Sequence, residues 1–345
     1  MRKFNVAVVG ATGAVGEEVF RVMQECNFPV NKVVPLASAR SAGSKIEFNN
    51  KEYTVLELTS SIFEEQEVEI AFFCAGGSIS EKFAKDAVSA GAVVIDNTSH
   101  FRMDPKVPLV VPEVNPEDIK LWKDTGIIAN PNCSTIQMVQ SLKPLDELYG
   151  IKRVDVSTYQ AVSGAGKSGM EELVRQMQDF FAFRLDESEI KAFAHQIALN
   201  VIPQIDVAMD NGFTKEEMKM VKESQKIMHK NFEVAATCVR VPVLRSHSEA
   251  ITVTFNDGVD VDIEKVRAAL ENFENVKVVD DLPNKIYPMP IIATDTDFTY
   301  VGRIRKDVYA SNVLHYFNVA DQVRVGAATN AVRIALKWIE LESDI

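Results

Sequence analysis

The sequence predicts an α/β protein with two domains, and three observations support that prediction. The chain has 345 residues, whereas a single core usually stops growing near ~250–300 residues. Before Gly150, short runs rich in Val and Ile alternate with helical patterns, as in a parallel sheet covered by helices on both faces. After Gly150, longer strand-like runs are mixed with helical patterns, which is typical of an α+β domain.

The domain boundaries follow from that change of pattern. We expect a first domain over residues 1–132, a second over 133–325, and a C-terminal helix within 326–345 that returns to the first domain. Before Gly150, strands are predicted at 5–9, 32–37, 69–74, 92–96 and 126–129, and helices at 14–25, 79–90, 116–124 and 134–148. Beyond Gly150, strands are predicted at 153–160, 235–241, 250–255, 276–280, 300–305 and 313–319, and helices at 169–181, 214–228, 262–273 and 326–341.

Composition and charge exclude several classes of protein. With 37 basic and 49 acidic residues the net charge is −12, so we expect no nucleic-acid partner. No apolar run approaches the ~18 residues of a membrane span, and the apolar run near the N-terminus is too short for a signal peptide. The four cysteines are scattered, with no C-x-x-C pair. We therefore expect a cytoplasmic protein without disulfides, without a metal site and without membrane contact.

A glycine-rich turn follows the first predicted strand. Gly10, Gly13 and Gly16 form a G-x-x-G-x-x-G spacing that leads directly into the first predicted helix. Glycines at such a turn let backbone N–H groups approach a pyrophosphate, whose charge then lies at the helix N-terminus. The spacing differs from G-x-G-x-x-G, so a plain strand–helix turn is the alternative. The context favours a Rossmann-type dinucleotide-binding domain.

The end of the second predicted strand indicates which dinucleotide. A site for NAD usually places an acidic residue about 20 residues after the glycines, where it binds the ribose 2′-hydroxyl. This sequence instead has Ser38, Arg40 and Ser41 there, and no acid. Hydroxyls and a guanidinium suit a 2′-phosphate, because arginine binds phosphate through two hydrogen bonds and stays charged. NADP is therefore favoured over NAD, with a solvated loop arginine as the alternative.

One cysteine has the setting of a nucleophile. Cys133 follows a predicted strand and stands where the next helix begins, so the helix dipole and free N–H groups would stabilise its thiolate. A lone cysteine is more often a small buried hydrophobe, and Cys74 and Cys238 lie in apolar strands. For a base, we favour His247, which is predicted in a polar loop between two strands, over His100.

Several short stretches then occur in a fixed order along the chain. They are GATGAVG at 10–16, ASARSAG at 37–43, PNCST at 131–135, YQAVSGAG at 159–166 and HSE at 247–249, with VGRIR at 301–305 as a further match. Together they resemble the aspartate-β-semialdehyde dehydrogenase family over about residues 5–337. The resemblance implies an architecture like that of glyceraldehyde-3-phosphate dehydrogenase, with an NADP-binding domain and a catalytic domain, and a homodimer formed on the sheet of the second domain.

The resemblance also implies roles for single residues. Cys133 corresponds to the nucleophile that forms an acyl thioester, His247 to the acid–base group, and Gln160 to the residue that orients the substrate. The substrate-binding residues implied are Arg102, Asn132, Gln160, Glu223, Lys226 and Arg240, with Arg240 for the carboxylate, Glu223 for the ammonium, and Arg102 and Lys226 for the phosphate. The residues implied for NADP are Gly10, Thr12, Gly13, Ala14, Val15, Ser38, Arg40, Ser41, Ser163, Gly164 and Asn330.

These roles imply an NADPH-dependent reduction of aspartyl phosphate to aspartate semialdehyde, in the synthesis of lysine, threonine, methionine and isoleucine. Two alternatives remain open at this point. A reductase of another acyl phosphate, such as N-acetylglutamyl phosphate, would need room for an acetyl group where Glu223 is expected to pair with an ammonium. A regulator that binds NADP without catalysis would not need Cys133, Gln160 and His247 together.

Overall fold

The computed structural model describes residues 2–343. The described residues up to Asn132, together with those from Gly326 onward, form a first compact unit, and Cys133–Val325 form a second. The elements of the first unit up to Asn132 are β1 (Phe4–Val9), α1 (Ala14–Glu25), β2 (Val30–Ala37), β3 (Lys45–Phe48), β4 (Lys51–Thr54), β5 (Leu56–Glu57), α2 (Ile62–Glu65), β6 (Ile70–Phe73), α3 (Gly77–Ser89), β7 (Val93–Asp96), a 3₁₀ helix (Pro116–Asp124) and β8 (Ile127–Ala129).

A parallel sheet forms the centre of the first unit. Its strand order is β5-β2-β1-β6-β7-β8, and all its pairs are parallel. Strands β1, β6 and β7 of this sheet are apolar and almost wholly buried on both faces, which explains why they read as continuous hydrophobic runs. The chain moves from β1 to β2 on one side and later to β6 on the other, so the strand order reverses at β1. Ligands of open α/β sheets bind at the carboxyl end of such a reversal.

The sequence patterns did not predict the β3–β4 hairpin, β5 or the short helix α2. Asn49 and Asn50, which connect β3 to β4, have φ of 51° and 58°. Two consecutive positive φ values are the signature of a type I′ hairpin turn, and asparagine tolerates them. The predicted helix at 116–124 is a 3₁₀ helix rather than an α-helix.

The second unit contains a mixed sheet. Its elements are α4 (Cys133–Tyr149), β9 (Ile151–Gln160), a 3₁₀ turn (Val162–Ala165), α5 (Gly166–Phe181), a 3₁₀ turn (Leu185–Glu187), α6 (Lys215–Ile227), β10 (Glu233–Arg240), β11 (His247–Phe255), α7 (Ile263–Glu271), β12 (Val276–Val278), α8 (Pro290–Ala293), β13 (Thr299–Lys306) and β14 (Val313–Ala320). The strand order is β10-β9-β11-β14-β13-β12, with parallel pairs at both edges and antiparallel pairs between them. Helices α4, α6 and α7 pack on one face and share a hydrophobic core with it.

The end of the chain belongs to the first unit. A π-helical turn (Arg324–Ala328) leads into α9 (Thr329–Ser343). Ala331 and Ile334 of this helix are fully buried in the same core cluster as Val6 of β1. The fold class is therefore as predicted, a parallel α/β domain with a mixed α+β domain. None of the described helices combines the length and the apolar character that crossing a membrane requires.

Candidate active site

The glycine turn of the first unit is tightly packed. Gly10 has a φ of +86°, and a Cβ there would lie 3.0 Å from the backbone of Cys74 and Ala75. A Cβ on Gly16 would lie 2.2 Å from the carbonyl oxygen of Gly10. The turn ends at Gly13, the N-cap of α1, and Gly13 carries no side chain that could satisfy the first N–H groups of the helix. These N–H groups are thus available to an anion.

The end of β2 is joined to this turn. Backbone N–H groups of Gly10 and Ala11 donate to the carbonyl oxygen of Leu36, at 2.8 and 3.1 Å. The residues that follow β2 turn sharply, since the N–H of Ser41 donates to the carbonyl oxygen of Ser38 at 2.9 Å. Arg40 lies in this turn and is exposed. The glycine turn and the guanidinium-bearing turn are therefore neighbours at the carboxyl end of the sheet.

A second polar group lies at the ends of β7 and β8. Arg102 is buried, and its Nε and Nη2 donate to the carbonyl oxygens of Asn130 and Asn97 at 2.9 and 2.8 Å. Asn330, near the start of α9, donates through Nδ2 to the carbonyl oxygen of Val110 at 3.0 Å and to Oδ1 of Asn130 at 2.6 Å. Its own Oδ1 is buried and accepts no hydrogen bond from the described residues. That oxygen is an acceptor without a donor.

In the second unit, Cys133 is the first residue of α4 and is half-buried. The first N–H groups of a helix carry partial positive charge, which favours the thiolate over the thiol. Arg240 contributes in the same direction, because the charges of Cys133 and Arg240 attract each other. The thiols of Cys74 and Cys238 differ, since burial raises the pKa of both.

His247 is fully buried and faces Gln160. The backbone N–H of Ala161 donates to His247 Nδ1 at 3.0 Å, so the neutral ring carries its hydrogen on Nε2. Nε2 lies 3.4 Å from Gln160 Nε2. Burial, with the positive charge of Arg240 as the second cause, lowers the pKa of His247 well below its usual range. The imidazole is therefore neutral near pH 7, with its hydrogen on the nitrogen that faces Gln160.

The amide of Gln160 has a defined orientation. Thr158 Oγ1 donates to Gln160 Oε1 at 3.0 Å, and Gln160 Nε2 donates to a carboxylate oxygen of Glu216 at 3.1 Å. A carboxylate accepts but does not donate, so the amino group of Gln160 must point towards it.

Arg240 ends strand β10 beside the same histidine. Its Nη1 donates to the carbonyl oxygen of Ala161 at 2.7 Å, and its guanidinium lies 5.9 Å from the ring centroid of Phe193. Gly164 leaves no room for a side chain, because a Cβ there would lie 2.8 Å from Arg240 Nη1 and 3.3 Å from His247 Nε2. A cavity of about 300 Å³ opens beside Arg240 and Phe193. Burial lowers the pKa of Arg240, but arginine stays charged in proteins.

Both units match known proteins. The first matches the semialdehyde dehydrogenase NAD binding domain over residues 5–122, and the second matches the semialdehyde dehydrogenase dimerisation domain over residues 142–325. The chain is 65% identical over 342 residues to the aspartate-semialdehyde dehydrogenase of Campylobacter jejuni, with 99% of each chain covered. It is 51% identical over 348 residues to that of Helicobacter pylori strain J99, again with 99% of each covered.

The chain belongs to the aspartate-semialdehyde dehydrogenase family. Solved structures agree with this. Aspartate semialdehyde dehydrogenase II of Vibrio cholerae, complexed with ASA, has a TM-score of 0.93 at 47% identity, with 99% of each chain covered. The Candida albicans enzyme with NADP has a TM-score of 0.74 at 26% identity, with 99% of this chain and 100% of that chain covered. The predicted family resemblance is thereby confirmed.

The structure brings several residues of the family motifs together within the second unit. Gln160, Gly164, Arg240 and His247 form one cluster, and Cys133 lies within electrostatic range of Arg240. The sequence context predicted that His247 lies in a loop, and this prediction is wrong. His247 is the first residue of β11, because it already pairs with Ala320 of β14.

The other predicted residues lie on further elements of the two units. Ser163 is buried in the 3₁₀ turn after β9, and its hydroxyl accepts a hydrogen bond from Gln322. Glu223 of α6 is 1% exposed and Lys226 is half-buried, so neither lies on a fully solvated helix face. Asn132 is buried and directly precedes Cys133. His100, the alternative base, is exposed in the first unit and packs edge-on against Phe101.

Glu216, which orients Gln160, is a site residue that the sequence patterns did not predict. Glu216 is buried and is also bound by Lys219 at 2.9 Å, which in turn binds Asp206 at 2.8 Å. Burial opposes the charge of Lys219, but the two carboxylates outweigh it and raise its pKa. A signal was present, because Glu216 precedes Glu223 by two helical turns and therefore lies on the same face of α6.

Proposed function

We propose that the chain catalyses the NADPH-dependent conversion of aspartyl phosphate to aspartate semialdehyde and phosphate. The cluster of Cys133, Gln160, Arg240 and His247 supports this proposal. One residue of this cluster is a nucleophile at a helix start, one is a buried neutral imidazole, and one is a buried cation for a carboxylate. This combination suits an acyl compound that carries a second acidic group.

In the proposed reaction, Cys133 Sγ forms a bond to the acyl carbon while the bond from that carbon to the phosphate oxygen breaks and phosphate leaves. The resulting thioester keeps the acyl group activated. The nicotinamide of a cofactor held by the first unit's glycine turn would supply the hydride for the reduction of this thioester. Cys133 then leaves with the electron pair of the C–S bond as the aldehyde forms. His247 would serve as the acid–base group through Nε2, which carries the hydrogen of the neutral ring and would donate it to the oxygen that becomes negatively charged.

The remaining residues hold the substrate. Arg240 would bind its carboxylate beside the cavity near Phe193, and the amino group of Gln160 would orient the acyl oxygen. Buried Glu223 would face the ammonium group. We assign Arg102 and Lys226 to the phosphate side by their motif positions, and Asn132 to substrate binding.

The cofactor residues fit a dinucleotide. The turn from Gly10 to Val15 offers close backbone approach and unsatisfied N–H groups for a pyrophosphate. The unpartnered Oδ1 of Asn330 would accept the N–H of a nicotinamide carboxamide. Ser38, Arg40 and Ser41 would bind the 2′-phosphate of NADP, and Ser163 and Gly164 would contact the nicotinamide end.

The observation that carries the proposal is the cluster around His247 in a chain 65% identical to a named relative. The direct test is NADPH consumption with aspartyl phosphate and, separately, with N-acetylglutamyl phosphate. We expect NADPH oxidation with aspartyl phosphate and little with N-acetylglutamyl phosphate, because buried Glu223 would meet an acetyl group instead of an ammonium group. Oxidation only with the second compound would contradict the substrate, and none with either would contradict the reaction.

Arg40→Ala is expected to weaken NADP binding and leave NAD binding nearly unchanged. Only NADP presents a 2′-phosphate, and a charge-assisted contact is worth roughly 1.5–3 kcal/mol, or about 10- to 150-fold in affinity. The measurement is a Kd for each cofactor. Lys51→Ala, which removes an exposed cation of β4, serves as the control. Equal losses for both cofactors would count against this assignment.

Two arginine variants separate the two acidic groups of the substrate. In the reverse reaction, semialdehyde and phosphate are separate molecules, so each KM reports on one site. Arg240→Lys is expected to raise chiefly the KM for semialdehyde, because lysine keeps the charge but loses the planar fork. Arg102→Lys is expected to raise chiefly the KM for phosphate. An inverted pattern, or equal effects on both values, would refute the assignment of these arginines.

We also propose that the protein is a homodimer that acts in the cytoplasm. The match to a dimerisation domain supports the assembly. On the face of the second sheet opposite α4, Tyr159 is 40% exposed, and its ring lies 6.2 Å from that of Phe317. This face would pair with a second copy.

The proposal of a cytoplasmic location is supported by the cysteines. All four cysteines of the chain are free thiols, which suits a reducing compartment.

A further inference from the structure

A buried carboxyl group with no assigned role lies close to His247. Glu249 is two residues further along β11 and is 0% exposed. Its carboxyl group faces the side chains of Asn318 and Gln137. Neither of its two carboxyl oxygens has a hydrogen-bond partner among the described residues. A buried carboxylate without a partner is strongly disfavoured, so this group needs an explanation.

The hydrogens of both neighbouring amides are directed elsewhere. Gln137 Nε2 donates to Asn318 Oδ1 at 2.9 Å and to the carbonyl oxygen of His247 at 3.4 Å. Asn318 Nδ2 donates to the carbonyl oxygen of Gln137 at 3.2 Å and to Ser141 Oγ at 3.3 Å. Because backbone carbonyls only accept, neither amide can be turned over without losing these bonds. These hydrogen bonds therefore fix the orientation of both side-chain amides.

One acceptor in this group lacks a donor. Gln137 Oε1 is buried and has no hydrogen-bond partner among the described residues. A single proton on the carboxyl of Glu249 would satisfy both groups. It supplies the donor that Gln137 Oε1 lacks, and it removes the buried negative charge of Glu249.

We propose that Glu249 is held as the neutral acid, donates its proton to Gln137 Oε1, and thereby positions the helix that carries Cys133 against the strand that carries His247. Gln137 lies one helical turn after Cys133 on α4, and its amide also binds the backbone of His247. Glu249 is thus a positioning residue that acts through Gln137.

The surroundings of Glu249 keep it uncharged. The residues paired with it, Thr158 of β9 and Asn318 of β14, are neutral. The nearby titratable groups, Tyr316 of β14 and Cys238 of β10, are themselves buried, and burial raises the pKa of each. Burial likewise raises the pKa of Glu249 to about 8, and the nearby amides of Asn318 and Gln137 only partly offset this effect. The carboxyl is therefore protonated at pH 7.

The protonation is tested by infrared difference spectroscopy of the full chain, which does not depend on the proposed function. Wild type minus Glu249→Gln is expected to show the C=O band of a neutral carboxylic acid at pH 7, and the band should vanish as the pH is raised through about 8. Asp307→Asn is the control, because hydrogen bonds, first of all the one with His315 at 2.8 Å, lower the pKa of Asp307 to about 2, and this residue should give a carboxylate band instead. A carboxylate band for Glu249 at pH 7 would overturn the proposal.

The positioning role rests on the proposed function and is tested by kinetics. Glu249→Met and Gln137→Met each remove the hydrogen bond, and each is expected to lower kcat by about 10- to 100-fold with a smaller change in KM, since misplacement of reacting groups is costly. Glu249→Gln retains a donor and should recover most of that loss, without the decline in kcat that ionisation of Glu249 causes above about pH 8 in the wild type.

The double variant Glu249→Met/Gln137→Met should be no slower than Gln137→Met alone, because the change at Glu249 removes a hydrogen bond that the change at Gln137 has already broken. Additive losses, or a wild-type kcat in Glu249→Met, would overturn the positioning role. If wild type shows no activity with aspartyl phosphate, the proposed function fails, while the infrared result still decides the protonation of Glu249.

Discussion

Replacing Cys133 with alanine is expected to abolish the reaction with aspartyl phosphate, with a loss in kcat of at least about 10⁴-fold, because no thioester can form without the thiolate. NADP binding should be retained, since Cys133 belongs to none of the turns that we propose for the cofactor. The measurements are NADPH oxidation and the Kd for NADP on the same preparation. Full activity in this variant would refute covalent catalysis by Cys133.

Labelling gives the second readout for the same residue. One equivalent of iodoacetamide is expected to inactivate the protein by modifying Cys133 first, because the thiolate is the reactive form. Burial raises the pKa of Cys74 and Cys238, so these thiols should react slowly. Cys26 is exposed and is the real competitor, so Cys26→Ser is the matched control and should be inactivated at the wild-type rate. Inactivation that tracks modification of another cysteine would contradict the assignment.

Replacing His247 with alanine is expected to lower kcat by about 10²–10⁴-fold, the usual contribution of a positioned acid–base group. The KM for semialdehyde should change less, because Arg240 rather than His247 would bind the carboxylate. His100→Ala, which removes an exposed imidazole of the first unit, is the control and should stay within about twofold of wild type. A large loss of kcat in His100→Ala together with a near wild-type kcat in His247→Ala would show that His247 is not the base.

The pH dependence of the wild type gives a further check on His247. Its pKa is lowered by burial and by Arg240, so the ring stays neutral as the pH falls from 8 through 6.5. No loss of kcat from its protonation is expected in that range. The unfolded chain takes up a proton near pH 6.5 whereas the folded chain does not, so folding stability from this residue is lost as the pH falls below 6.5. A midpoint near 6.5 in the kcat profile that disappears in His247→Gln would contradict a neutral, buried imidazole.

Local rules were sufficient for several parts of the site. The turn from Gly10 to Gly16 follows from the need for glycine at a close backbone approach directly after a buried strand. The position of Cys133 follows from the start of a helical pattern after a strand. The absence of an acid after β2 is likewise visible in the sequence alone, and it leads directly to the NADP proposal. Each of these features involves neighbours in the chain.

Tertiary structure decided the features that involve residues far apart in the chain. That His247 begins β11 and is neutral depends on its pairing with β14 and on burial beside Arg240. That Gln160 is oriented by Glu216 depends on the packing of α6 against the sheet.

The protonation of Glu249 is the clearest case. In the sequence it is one more acid beside a histidine, and its ordinary pKa would leave it charged. Only the removal of water and the engagement of the neighbouring amides elsewhere make the neutral form favourable. The sequence by itself determined which chemical groups this protein carries and which local turns hold them. Their protonation states and orientations depend on desolvation and on partners brought from other strands and helices, and these exist only in the folded chain.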